Sequence, residues 1–244
     1  MIFFQPPKKS LGQNFLIDKN IINKIVKIGN IEENNTILEI GAGYGNLTKI
    51  IANRKSKKIY AVEKDKKLSL FLESLFKNYE NIKKINNDIF NVINNQKFKQ
   101  NVIVFGNLPY NVSTQILASL VLIKKWPPWY KLLILMFQKE VADRIIARTR
   151  TKEFSRLSVL TNWRLEIKKH FNISKNCFFP KPKINSTLLS FKPKKLYAFN
   201  LKNPKNLEKV TRILFSNRRK MINKNFNKLF KEKKFLVESL KINL

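Results

Sequence analysis

The stretch Ile37-Leu38-Glu39-Ile40-Gly41-Ala42-Gly43-Tyr44-Gly45, ILEIGAGYG, joins an apolar run to three glycines at alternate positions. TILEI reads as a buried strand, the glycines as a tight turn, and the following NLTKIIANR as a helix. Glycine at such a turn lets a ligand approach the backbone, with helical N–H groups aimed at it. The spacing is G-x-G-x-G rather than the G-x-G-x-x-G of dinucleotide binders, and no Lys-Ser/Thr pair follows as in a P-loop. Both departures argue against NAD and ATP.

Outward from this turn the pattern alternates. Upstream, PPKKSLGQNFLID is a polar lead-in to a helix over residues 19–28, with Asp18 as its N-cap and Ile21, Ile22, Ile25 and Val26 on its apolar face. Downstream come the strand KIYAVEK, an amphipathic helix over residues 65–76, the short strand IKKIN and a fourth strand, VIVFG. A helix over 113–123, the turn WPPW, the strand KLLILMF and a helix over 139–148 follow. A helix over 156–162 and strands at 165–171 and 184–191 complete the sheet. Strands separated by helical patterns predict a Rossmann-like α/β fold, doubly wound on a mostly parallel seven-stranded sheet. Pro180, Pro182 and Pro193 mark loop and a boundary, giving a domain over 1–192 and a small α-helical domain over 193–244. In the latter, helices begin near Pro204, with LEKVTRILF and MINKNFNKLF at helical spacing.

The ends of the strands carry the chemistry. Glu63 closes the second strand, 22 residues past Gly41, where an acidic side chain can accept from both hydroxyls of a ribose. Asp88 follows the third, where it can accept from an adenine amino group. Together with the glycine turn they suit S-adenosylmethionine, whose amino-acid part is small and carries no pyrophosphate.

The fourth strand ends in GNLPYN, residues 106–111. An exocyclic amine on a base is a poor nucleophile because its lone pair is delocalised into the ring. The Asn107 side-chain oxygen with the carbonyl of Leu108 or Pro109 can accept both amine hydrogens and turn the lone pair toward a methyl sulfonium. Tyr110 stacks on the base, and Pro109 fixes the turn. No general base is needed, because the methylated amine is strongly acidic. The competing reading is a strand-ending turn with a buried tyrosine.

Composition bounds the partners. The 244 residues are 43% hydrophobic, enough for a core, and carry a net charge of +33, which points to a polyanion. The 40 Lys, 9 Arg and 30 Asn also fit A/T-rich coding, so the few arginines carry more weight than the many lysines. From residue 192 onward there are 16 basic and 3 acidic residues, which makes the tail the densest positive segment. One cysteine, Cys177, excludes an internal disulfide, and one histidine, His170, leaves almost no ligands for a metal. With no apolar run of membrane-spanning length, and with MIFFQPPKKS turning basic too soon for a secretory segment, the expectation is a cytoplasmic, monomeric protein.

The blocks PKKSLGQNFLID, LEIGAGYGNLT, VEKD, ND, GNLPYN-ST, QKEVADR, SRLSV, FFPKPKINS and FSNRRK occur in that order over residues 7–219. In this the chain resembles the small-subunit ribosomal RNA adenine N6,N6-dimethyltransferases of the KsgA type. The resemblance implies a class I methyltransferase fold. It also implies transfer of two methyl groups to N6 of each of two adjacent adenosines in the hairpin loop near the 3′ end of small-subunit rRNA, on the assembling small ribosomal subunit. Cofactor contacts are implied at Gln13, Asn14, Leu16, Gly41, Glu63, Asp88 and Asn107. The residues alone had pointed to the last four and assign no role to QNFL. In FFPKP the F-x-P spacing selects Phe178 as the ring opposite Tyr110 around an extruded base. Without the resemblance Phe178 reads as a core residue.

Ala42 and Tyr44 stand where the family usually has Pro and Leu or Thr, and neither removes a glycine. The C-terminal part is shorter than in many bacterial members, which bears on RNA grip, and its dense charge compensates in part. Two other readings share the motifs: an adenine methylase of large-subunit rRNA and a non-catalytic RNA-binding assembly factor. KKSLGQNFLID, FFPKPKINS and RRK favour the small-subunit enzyme over the first, and intact NLPY and cofactor residues argue against the second.

For RNA the candidates are Arg144 and Arg148, one turn apart on the helix after QKEVA, and Arg218 and Arg219 at a helix start, where a solvated face is the competing reading. Replacing Arg218 and Arg219 together is expected to weaken RNA binding and flatten its salt dependence while leaving cofactor affinity intact. An unchanged salt slope in filter-binding titrations would refute that assignment.

Overall fold

The computed structural model describes residues 6–54, 56–95, 98, 101–197, 199–217 and 223–229. Along them run β1 (Phe15–Leu16), α1 (Lys19–Ile28), β2 (Thr36–Ile40), α2 (Asn46–Ala52), β3 (Lys58–Glu63), α3 (Lys66–Leu75), β4 (Ile82–Asn86), α4 (Ile89–Asn95) and β5 (Val102–Asn107). They continue as α5 (Ser113–Val121), β6 (Tyr130–Gln138), α6 (Lys139–Ile146), α7 (Arg156–Arg164), β7 (Leu165–Ile173), β8 (Phe178–Phe179), β9 (Ser186–Pro193), α8 (Lys205–Leu214) and α9 (Asn223–Leu229). Seven strands form one sheet in the order β4-β3-β2-β5-β6-β9-β7, while β1 and β8 make a separate antiparallel pair. The pairings from β4 through β6 are parallel, and β9 runs antiparallel to both β6 and β7. The expected mostly parallel, seven-stranded α/β fold is what the chain adopts.

TILEI, VIVFGN and YKLLILMFQ are nearly continuous apolar runs because helices cover both faces of these central strands. Successive side chains divide between the layers. Ile37 joins Ile22, Ile25 and Val26 of α1 and Ile51 of α2. Leu38 joins Ile116, Leu117 and Leu120 of α5 and Ala142 and Ile145 of α6. The cap read from sequence is present, the Asp18 carboxylate accepting from the Ile21 N–H at 2.9 Å, and the structure adds a second, that of Asp65 accepting from the Lys67 N–H at 2.9 Å.

Two helical expectations need correction. The helix α6 stops at Ile146, Ala147 is extended at ψ 138°, and Arg148 therefore lies off the helix rather than one turn beyond Arg144. The Thr151 hydroxyl and N–H both donate to the Arg148 carbonyl, closing a turn that competes with another helical turn. Conversely, α4 was not anticipated, because IFNVINN holds three asparagines and reads as a poor helix. Burial of Ile89 and Val92, with Asp88 accepting from the Phe90 N–H at 3.0 Å, holds it nonetheless.

Past Pro193 the chain turns back across the end of α7. The Arg164 guanidinium lies 3.9 Å from the Trp163 ring, 4.7 Å from that of Trp126 and 5.3 Å from that of Tyr197, and donates to the Ile123 carbonyl at 2.8 Å. The indoles of Trp126 and Trp163 donate to the carbonyls of Lys194 and Phe199. This aromatic cage fastens the segment after Pro193 to the sheet layer, and Arg156 pairs with Glu208 at 3.0 Å to bring α8 against α7.

Candidate active site

From β2 the chain proceeds to β3 and β4, then crosses back to β5 on the other side of β2. In such sheets ligands bind where the strand order reverses, beyond the carboxyl ends of the strands. The register Ile40↔Gly106 sets Gly41 beside Asn107. Gly41 has φ +73°, and a Cβ there would stand 3.7 Å from the Asn107 carbonyl, inside the crevice. Gly43, at φ +55°, has another reason to be glycine: a Cβ would reach within 2.9 Å of the Phe15 ring.

The cavity at this point is lined by Gly41, Gly43, Glu63, Asp88, Asn107, Leu108 and Pro109, with Gln13 and Asn14 of the lead-in. Leu16, Tyr110 and Phe178 are not among its lining residues. Leu16 is a core residue paired with Phe178, and its carbonyl accepts from Asn46 Nδ2 at 2.8 Å. Phe178 is 3% exposed within the same core layer, whereas neighbouring Phe179 is 40% exposed.

Glu63 accepts the Gly43 N–H at 2.8 Å and the Asp65 N–H at 2.9 Å, one at each carboxylate oxygen. Burial raises its pKa above the usual carboxylate range, against the pull of these donors. With these donors and the Lys64 N–H also acting on it, the carboxylate still has lone-pair capacity for a ligand hydroxyl. Asp88 pairs with Lys64 at 2.8 Å. Burial would raise its pKa, but Lys64 and the Phe90 N–H hold it below the ordinary value.

The catalytic segment is held from two sides. Asn107 Nδ2 donates to the Asn14 carbonyl at 2.6 Å. A carbonyl only accepts, so this bond decides the amide orientation and leaves Oδ1 as the acceptor on offer. The Pro109 carbonyl accepts from the Val112 N–H at 3.1 Å, while that of Leu108 accepts nothing among the described residues. Of the two carbonyls read from sequence, that of Leu108 is the one unengaged among the described residues. The Tyr110 hydroxyl lies 2.7 Å from Ser186 Oγ. Burial pushes the phenol upward, partly offset by Ser186.

Sequence reasoning missed Ser186, although it lies inside the quoted FFPKPKINS block, and Asn111, whose Oδ1 a Cβ on Gly12 would meet at 2.9 Å. Tyr44, the family departure, packs edge-on against Phe15 and Phe71, with ring centroids 4.7 and 5.6 Å away.

A second, wider groove lies among α5, α6, α7 and α8, where Arg144, Arg156, Arg212, Lys124 and Lys205 contribute to its lining. Arg144 and Arg148 are both exposed. Arg218 and Arg219 lie outside the described residues.

The sequence profile of ribosomal RNA adenine dimethylase matches residues 5–243. The chain belongs to the ribosomal RNA adenine dimethylase family. It is 50% identical over 241 residues to the ribosomal RNA small subunit methyltransferase A of Pelagibacter ubique (strain HTCC1062), covering 99% of this chain and 90% of the relative. To the protein of that name from Wolbachia sp. subsp. Drosophila simulans (strain wRi) it is 37% identical, over 98% of this chain and 87% of the other. Among solved structures, a dimethyladenosine transferase from Plasmodium falciparum superposes with a TM-score of 0.70 at 25% identity, covering 94% of this chain and 83% of that one. The 23S rRNA methyltransferase ErmE superposes with a TM-score of 0.67 over 94% of this chain and 91% of its own, but at 20% identity it shares the fold alone. Among the described residues of this family member no group of His, Cys, Asp and Glu could hold a metal, and no helix is long and apolar enough to cross a membrane.

Proposed function

We propose that this family member transfers methyl groups from S-adenosylmethionine to N6 of two adjacent adenosines in the 3′-terminal hairpin loop of small-subunit rRNA, on the assembling subunit in the cytoplasm. The observation that carries the reading is the Asn107 amide, pinned through Nδ2 to the Asn14 carbonyl so that Oδ1 is left as the acceptor, with Leu108, whose carbonyl accepts nothing among the described residues, lining the same glycine-bearing cavity. The 50% identity to a small-subunit methyltransferase A, against 20% to a 23S enzyme, supports the small subunit as substrate.

The residues present fit the cofactor. Gly41 leaves room where a side chain would intrude, Glu63 keeps lone pairs for a ribose, Asp88 lines the same cavity and can accept from an adenine amino group, and Gln13 and Asn14 of the lead-in line it as well. When bound, S-adenosylmethionine supplies an electrophilic methyl on a sulfonium. Asn107 Oδ1 and the Leu108 carbonyl accept the two amine hydrogens and so direct the nitrogen lone pair at that methyl. The cofactor would supply the methyl and its sulfur would keep the C–S electron pair, while the residues hold the amine so that its proton is shed to solvent. Pro109 holds the turn by its fixed φ and by its bond from Val112.

Tyr110 offers its ring to the extruded base, and Ser186 fixes that ring. For the base to reach Phe178 on its other face, side chains now packed on that ring must shift. Base stacking is worth roughly 1–3 kcal/mol, so Tyr110→Ala should lose about 10- to 100-fold in kcat/KM, with Tyr110→Phe near wild type. Equal losses in both variants would move the role from the ring to the hydroxyl.

The deciding experiment is transfer of labelled methyl to undermethylated small subunits, followed by nuclease digestion and nucleoside analysis. Dimethyladenosine is the expected product. No transfer with cofactor bound would favour an assembly factor, and label in large-subunit rRNA the other methylase.

A further inference from the structure

Residues 8–14 form a strap along the cavity, fastened at both ends. Downstream, β1 pairs with β8, and the Ile17 N–H donates to the Cys177 carbonyl at 2.9 Å. Upstream, Lys8 Nζ reaches Asp65 Oδ2 at 2.7 Å, Gln13 Nε2 donates to the same oxygen at 3.5 Å, and the Lys8 N–H donates to Gln13 Oε1 at 2.7 Å. The Asp65 side chain is fully buried and that of Lys8 is 45% exposed. A buried carboxylate strongly favours a partner for its charge, and among the described residues the cation that Asp65 pairs with is Lys8 of the strap. Its other oxygen caps α3 and takes no part in this.

Between the fasteners lies Asn14, whose carbonyl orients the Asn107 amide. Were the strap to lift, Nδ2 would lose its acceptor and the amide could turn over. N–H groups would then face the amine hydrogens, and Oδ1 would be lost to catalysis. We infer that Asp65 is a positioning residue for methyl transfer, acting through Lys8 and the strap to hold Asn107 with its oxygen toward the target amine. This rests on the activity proposed above. It makes closure over the cofactor and readiness of the catalytic amide a single event.

Two variants separate the role from folding. Lys8→Ala removes the exposed partner, and Asp65→Asn keeps the α3 cap while setting a donor against Lys8. Loss of one charge-assisted bond at a positioning step predicts a fall of about tenfold in kcat for either variant with KM for the rRNA little changed, and a melting temperature little changed in Asp65→Asn, which leaves no buried charge unpaired. Lys8→Arg should restore turnover, and the double variant should be no slower than either single one, since both cut one link. An independent readout is hydrogen exchange of the Asn107 side-chain amide by NMR in the presence of S-adenosylhomocysteine, identified by its absence in Asn107→Ala. Exchange should quicken in both variants. Wild-type turnover in Lys8→Ala, or unchanged amide exchange, would overturn the inference. If the wild-type protein fails to methylate small subunits but the amide still loosens in the variants, the substrate reading falls and the coupling stands.

Discussion

Asn107→Ala is expected to lower methyl transfer to undermethylated small subunits by about 10²- to 10³-fold, the scale seen when one preorganised hydrogen-bonding group is removed from a transition state. The substitution removes the side-chain acceptor that the proposed mechanism assigns to the target amine. It also leaves the Asn14 carbonyl without its donor. RNA affinity should persist, because phosphate contacts dominate it and Asn107 makes none in this reading. Affinity for S-adenosylhomocysteine should fall less than turnover, since Gly41, Glu63 and Asp88 remain. Labelled-methyl kinetics with filter binding of the same variant would check both halves. A variant methylating at the wild-type rate removes Asn107 from the mechanism, and one that loses RNA binding in parallel makes it structural.

The second large effect concerns stability. Glu39 is 2% exposed at the end of β2, and its carboxyl is pushed up to about 8, by burial first and then by the charge of Glu63, against a 2.6 Å hydrogen bond donated by Thr48. Between the ordinary value of 4.5 and about 8, the folded protein holds a proton that the unfolded chain has released. Stability contributed by this group is therefore full below 4.5 and declines as pH rises toward 8, at about 1.4 kcal/mol per pH unit. Glu63, also raised by burial, acts in the same direction. His170, whose pKa is lowered by burial and by Lys168, opposes the trend only below its ordinary value of 6.5.

Denaturant melts between pH 6.5 and 8 isolate the effect. The wild-type protein should lose stability across this interval, and Glu39→Gln, which keeps an acceptor for Thr48 but carries no charge, should lose much less and exceed the wild type at pH 8. A flat wild-type profile would mean that Glu39 is ionised in the fold.

What the chain determined by itself is what is local. The apolar runs TILEI, VIVFGN and KLLILMF declared buried strands because their sheet is covered on both faces, and Asp18 announced a helix through a cap only a few residues away. The glycine turn, Glu63, Asp88 and Asn107 were legible because they recur at strand ends, a regularity visible without knowing the strand order. The C-terminal limit of α6 was not, since one extended residue at Ala147 carried Arg148 off the helix.

Tertiary structure decided whatever joins distant segments. Asn14 meets Asn107 across 93 residues, Tyr110 meets Ser186 across 76, and Lys8 meets Asp65 across the cavity mouth. Side-chain periodicity contains no term for such pairings. They follow from the return of the chain to β5 beside β2 and from the antiparallel insertion of β9 between β6 and β7. The preference for Leu108 over Pro109 as the proposed second acceptor rests likewise on the fold, through a turn bond that already engages the Pro109 carbonyl. Residue chemistry thus named the groups, and sheet topology determined which of them face one another.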